Sequence, residues 1–170
     1  MSTTAEALDR GVRAEARYGR PLPELAGYAG AVAVYLTGMG AAIWRLNAKR
    51  KLPDRFGAGD LALLALATHK LSRTVSRDAV TSPFRAPFAR FEGSASPGEV
   101  EEEVAGSGAR HAIGELITCP FCMDQWIASG FVIGLAAAPR FTRFVASVFA
   151  VRAGADLLQF GYAAANQAAE

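Results

Sequence analysis

The sequence predicts an all-α integral membrane protein, a bundle of three or four helices with a basic helix lying in the interface. Composition is the first observation behind this: 51% of the 170 residues are hydrophobic and only 20% are charged, where a soluble domain carries about 25% charged residues. Clustering is the second. The apolar residues, rich in Ala, Gly, Leu and Val, gather into uncharged runs near the roughly 20 residues that cross a bilayer. A chain of this length supplies one domain, here a polar tail over residues 1–24 and a single membrane domain over 25–170 with a flexible acidic loop at 92–110. A net charge of +2 leaves no nucleic-acid footprint, and two cysteines do not make a disulfide scaffold. No cleavable signal peptide is read in the Arg-rich start, so the first apolar run is expected to remain as an anchor.

The elements follow in order. Arg10, Arg13, Arg17 and Arg20 alternate with Glu6, Asp9, Glu15 and Glu24, and Ala5–Tyr18 fits a solvated surface helix ended by Pro21 and Pro23. Gly27–Trp44 is uncharged, carries Tyr28 and Trp44 at its ends, and is the first span. The basic run Arg45, Lys49, Arg50, Lys51 and Arg55 follows. Asp60–Arg77 is a helix whose apolar part, Leu61–Ala67, is too short to cross alone. Its basic end carries Lys70, Arg73 and Arg77 at i, i+3 and i+7, on one face. It reads equally as a short span with a snorkelling end or as an interfacial helix.

In Asp78–Phe91, Phe84, Phe88 and Phe91 interleave with Arg85 and Arg90, which suits a membrane interface or a loop folded over the helices. Gly93, Ser94, Pro97 and Gly98, with Glu99, Glu101, Glu102 and Glu103, describe the acidic loop. His111–Met123 leads into the apolar run Trp126–Ala138, where Gly130 and Gly134 form a GxxxG step able to bring in a helix of a second copy or another membrane protein. Phe144–Ala165 is the last span. Two layouts satisfy the positive-inside rule best: three spans with the N-terminus outside, or four with it inside. Both place the Cys119–Cys122 loop and the C-terminus in the cytoplasm, a reducing compartment.

Three constellations have chemistry. Cys119-Pro120-Phe121-Cys122 opens a helix, whose N-terminal dipole would lower a thiol pKa. It is similar over four residues to a glutaredoxin active site, without a surrounding βαβ pattern. Packing, metal binding and redox exchange all remain open for it. Zinc would need further ligands, of which His111 and His69 are the only histidines. Glu115, four residues before Cys119, is a surface carboxylate or a base for the thiol. Arg152 and Asp156 share one face of the last span and form either a mutual salt bridge, with Asp60 or Glu115 nearby, or a polar pocket for transport.

The segments ALATHKLSRTVSRDAVTSPFRAPFARFEG and GARHAIGELITCPFCMDQW resemble the core of a bacterial membrane family filed as domain of unknown function 1360. Leu71-Ser72-Arg73, Arg77-Asp78, Arg85, Phe88, and Gly114-Glu115-Leu116 running into Cys119, Cys122 and Trp126 have the likeness, over about Gly57 to Ala164. The resemblance implies a multi-span membrane protein with no established activity. Some members are labelled sporulation proteins, and others occur in actinobacteria, whose Ala/Arg/Gly-rich style this chain shares. The expected function is a non-enzymatic scaffold or interaction component. Lys70, Arg73, Arg77, Arg85 and Arg90 would bind anionic lipid headgroups. The alternatives are a thiol oxidoreductase or zinc-binding protein using Cys119 and Cys122, and a small transporter using Arg152 and Asp156.

Overall fold

A computed structural model describes Gly19 and residues 21–169; the expected tail helix over Ala5–Tyr18 and its charges lie outside the described residues. Helix α1 (Leu22–Ala48) starts on extended Pro21, with Pro23 in its first turn, where a fixed φ and a missing N–H cost nothing. Glu24 and Arg45 sit at the ends their charges favour. Val32, Val34 and Leu36 are 56%, 65% and 62% exposed. The helix is long and apolar enough to cross a membrane.

Helix α2 (Ala58–Ser76) begins after Gly57. It packs against both α5 (Pro120–Ala137) and α6 (Pro139–Ala169). Leu64 and Ala67 bury themselves with Phe131, Leu135 and Ala146 in the one buried apolar cluster of the described residues. The expected interfacial helix is therefore packed on two sides, and Lys70 is only 8% exposed.

After a 3₁₀ turn (Ala79–Thr81) and a single helical turn, α3 (Ser82–Arg85), the chain forms an antiparallel hairpin, β1 (Ala89–Ser96) and β2 (Glu99–Val104). This corrects both the all-α class and the flexible loop expected at 92–110. The turn is Pro97-Gly98, with Gly98 at φ 84°, a left-handed conformation that glycine adopts without strain. Along β2, Val100, Glu102 and Val104 share one face by the two-residue period of a strand. Val100 is buried on that face.

Helix α4 (Ala109–Thr118) fits under the hairpin because Gly114 has no side chain: a Cβ there would lie 2.6 Å from Val104. Gly27 of α1 approaches Ala112 of α4 as closely. The chain then bends by 81° at Cys119 into α5.

Side-chain contacts between the helices fix their directions. Tyr35 stacks edge-on to Trp126 at 5.2 Å, and Lys51 donates to the Ala137 carbonyl at 3.0 Å, so α1 and α5 run the same way. Asp60 pairs with Arg143 at 2.7 Å and Lys70 with Asp156 at 2.6 Å, so α2 and α6 also run together, opposite to α5. One end of the molecule holds the run Arg45–Arg55 and the α5–α6 turn. The other holds the start of α1, the end of α2, the hairpin, α4 and the cysteines. By length and composition, α1 and α6 can cross a membrane, and the bent pair α4–α5 can make a third crossing.

Candidate functional site

The hairpin end is a small polar head organised on Arg85, whose side chain is 1% exposed. Its Nε donates to Glu102 Oε2 at 2.5 Å and Nη2 to Oε1 at 3.2 Å. Nη1 reaches the Val75 carbonyl at 2.6 Å and Thr81 Oγ1 at 2.5 Å. Nη2 also reaches the Asp78 carbonyl at 3.0 Å and Ser82 Oγ at 3.2 Å. One guanidinium thus uses its fork of donors to join α2, the 3₁₀ turn, α3 and β2. The hairpin is tied down further by Val100 N to the Arg77 carbonyl and Ala79 N to the Gly98 carbonyl, both 2.9 Å. Arg73 pairs with Glu99 at 2.7 Å, and Arg110 grips the Pro87 carbonyl at 2.6 Å.

The five cations expected on one lipid-facing surface do not share a surface. Arg85 is buried in the head, Lys70 is held by Asp156, and Arg73 is held by Glu99. Arg77 is half-buried and Arg90 is exposed on β1. Arg152 and Asp156 do not bond to each other. Instead Arg152 reaches Thr74 at 3.4 Å and Asp78 at 3.5 Å, while Asp156 takes Lys70. Asp60 pairs with Arg143, and Glu115 accepts from the Tyr28 hydroxyl and lies 3.4 Å from His111 Nε2.

Below the hairpin, a cleft of about 550 Å³ is lined by Arg73, Arg77, Glu99, Glu115, Cys119 and Cys122. Both cysteines are free thiols. Cys119 caps α5, its Sγ accepting from the Cys122 N–H at 3.3 Å. The first turn of α5 belongs to this cleft, ahead of the apolar run that starts at Trp126. Burial of the sulfur, a hydrogen bond to Cys119, and the Cys119 and Glu115 charges together push the Cys122 thiol up to about 11. The helix dipole expected to lower it is outweighed. Among the described residues, no three of His, Cys, Asp and Glu converge to hold a metal ion, so His111 does not complete a set with the thiols.

Several residues of this site escaped sequence reasoning. Glu102 is readable only once Glu99-Val100-Glu101-Glu102-Glu103-Val104 is taken as a strand, whose alternation places it on the inward face with Val100. Tyr35, which meets Trp126, Ser129 and Gln125, had no signal within an apolar run. Asp124 did have one: it is the single charge of α5, and its Oδ1 is buried without a partner.

Residues 63–162 match the family described as protein of unknown function DUF1360, and the chain belongs to that family. The sporulation protein YjcA of Bacillus subtilis (strain 168) is 28% identical over 102 residues, covering 58% of this chain and 86% of the relative. No solved structure matches the chain. The matched region contains the Arg85 head and the cysteine cleft but none of α1.

Proposed function

We propose that this DUF1360 protein is a non-enzymatic membrane component, a scaffold that holds a rigid head at the bilayer surface for a protein partner to dock on. The Arg85 lock is the observation that favours this reading. A buried guanidinium satisfied on all sides and paired with a buried carboxylate buys a fixed shape rather than a reaction. Val80, Phe84 and Phe91 stand 78%, 78% and 67% exposed on the head, next to Arg90. Apolar side chains beside a cation suit a bilayer surface or a docking face. Arg77 and Arg90 are the cations of the expected lipid-facing set that this head leaves for headgroups.

In this reading α1, α2, α5 and α6 all cross the bilayer, and the head, the thiols and both ends of the described chain share one side. That side is placed in the cytoplasm. The transport alternative loses weight because Arg152 and Asp156 are each engaged with α2 or the turn that follows it. Because the Bacillus relative is named a sporulation protein, the process proposed is sporulation.

The test is a photo-crosslinking amino acid placed at Phe91 in native membranes, with a second at Val80. A discrete protein adduct at either position, lost in Arg85→Ala, supports the scaffold. Lipid adducts alone at both positions sink the partner.

A further inference from the structure

At the end opposite the head, α1 and α5 border a groove of about 630 Å³. Gly38, Ala41 and Ala42 of α1 and Ile133 and Ala137 of α5 floor it. The walls are apolar and the residues small. A Cβ built on Gly38 meets nothing within 4 Å. Arg45, Lys49 and Lys51 line the same groove at its outer end. Arg45 and Lys49 are i, i+4 on α1 and so project from one face. Lys51 Nζ crosses to the Ala137 carbonyl at 3.0 Å and closes the mouth on the α5 side. Among the described residues none of the three forms an ion pair.

We propose that this groove binds one anionic phospholipid, with an acyl chain against Gly38, Ala41, Ala42 and Ile133 and the phosphate at Arg45, Lys49 and Lys51. The proposal rests on the membrane reading above, and otherwise on different residues from those of the head. Charge complementarity selects the occupant. Three uncompensated cations around an apolar slot cost energy beside hydrocarbon unless an anion meets them, and an anion attached to a hydrocarbon chain satisfies both surfaces. The dimensions agree. Gly38 to Lys49 rises about 16 Å at 1.5 Å per residue, close to half of a hydrocarbon core about 30 Å thick. One leaflet's acyl chain therefore runs the length of the slot. Trp44, 70% exposed on the same wall, sits between the apolar floor and the cations. That is the level of the headgroup boundary, where an amphipathic ring is favoured. A second helix docking here would bury the three cations without a counter-charge, which disfavours it.

The experiment is native mass spectrometry of the full chain in detergent, with phosphatidylglycerol, phosphatidylcholine or glycerol 3-phosphate added at equal concentration. The wild type is expected to retain phosphatidylglycerol about tenfold more strongly than phosphatidylcholine, and glycerol 3-phosphate not to compete. Arg45→Gln with Lys49→Gln removes the preference. These side chains touch no other described residue through a hydrogen bond or ion pair, so the fold is left intact. Gly38→Leu fills the open floor and weakens both lipids. Equal retention of the two lipids by the wild type overturns the proposal. So does a preference that survives the double substitution, competition by glycerol 3-phosphate, an unchanged Gly38→Leu, or a second copy of the chain occupying the groove. A chain that is folded and monodisperse without detergent would instead sink the membrane reading itself, so the two failures are distinguishable.

Discussion

Arg85 and Glu102 are the pair on which single substitutions speak most clearly. Glu102 is 7% exposed at its side chain and Arg85 is 1% exposed. Arg85→Ala leaves a buried carboxylate without its counter-charge, and the head is expected to lose about 3–5 kcal/mol. Arg85→Ala combined with Glu102→Ala is expected to recover part of this, because the orphaned charge goes as well. Limited proteolysis of the hairpin in micelles measures both, and equal losses in the single and double variants would show that the pair is not coupled. Cys122 gives a second expectation. With its thiol at about 11, the thiolate fraction and hence the alkylation rate rise about tenfold per pH unit from 7 to 10. A rate that levels off by about pH 9.5 would mean an ordinary thiol of pKa about 8.5. The burial of Arg85 was not legible in the sequence, where a cation between Pro83-Phe84 and Pro87-Phe88 reads as interfacial. Nor was Glu102, read as part of a flexible acidic loop: only the hairpin puts its carboxylate on the valine face of a strand, where it needs a cation facing it.

Among the elements, α1 and α6 were readable because each carries a long apolar run. Helix α2 was not. Its buried residues after Ala67 are Thr68, Lys70, Ser72, Thr74 and Ser76, two apart and so on two sides of the helix, a set that hydropathy counts as surface. Asp156 and Arg152 of α6 meet Lys70 and Thr74, and no local pattern announces partners about 80 residues away. The hairpin was hidden similarly by four glutamates in six residues. Packing of the glycine step separates two roles that its sequence joined. A Cβ on Gly134 would lie 2.8 Å from Thr142 Oγ1, while one on Gly130 meets nothing within 4 Å. Gly134→Leu is therefore expected to destabilise the α5–α6 hairpin by about 1–3 kcal/mol. Gly130→Leu should leave the fold unchanged and act only on association with another helix. Thermal unfolding in detergent and crosslinked oligomer yield read the two effects separately. If both substitutions lower stability alike, Gly130 is packed within the chain.

For the whole molecule, helix direction ties together features that the sequence treated independently. Because α1 and α5 run parallel and α2 and α6 run against them, the cysteines stand opposite the run Arg45–Arg55. A three-span layout with α2 flat on the surface would put them on the same side. The orientation weighs Arg45, Lys49, Arg50, Lys51 and Arg55, with Arg140 and Arg143, against Arg73, Arg77, Arg90 and Arg110 of the head and the arginines of the N-terminal segment. Arg73 is paired with Glu99 and the buried Arg85 with Glu102, yet insertion counts Lys and Arg near the span ends with little regard for acids. With the arginines that precede α1 in the sequence added to the head's count, the head side is expected to face the cytoplasm. The measurement uses Cys119→Ser with Cys122→Ser as background, so that only the introduced thiol can be labelled. Ser96→Cys at the hairpin turn is expected to resist a membrane-impermeant maleimide in intact cells and to react after lysis. Lys49→Cys at the other end is expected to react in both. Labelling of the two positions from the same side would break the parallel pairing of α1 with α5, and the reverse pattern would place the head and its cysteine cleft outside the cell.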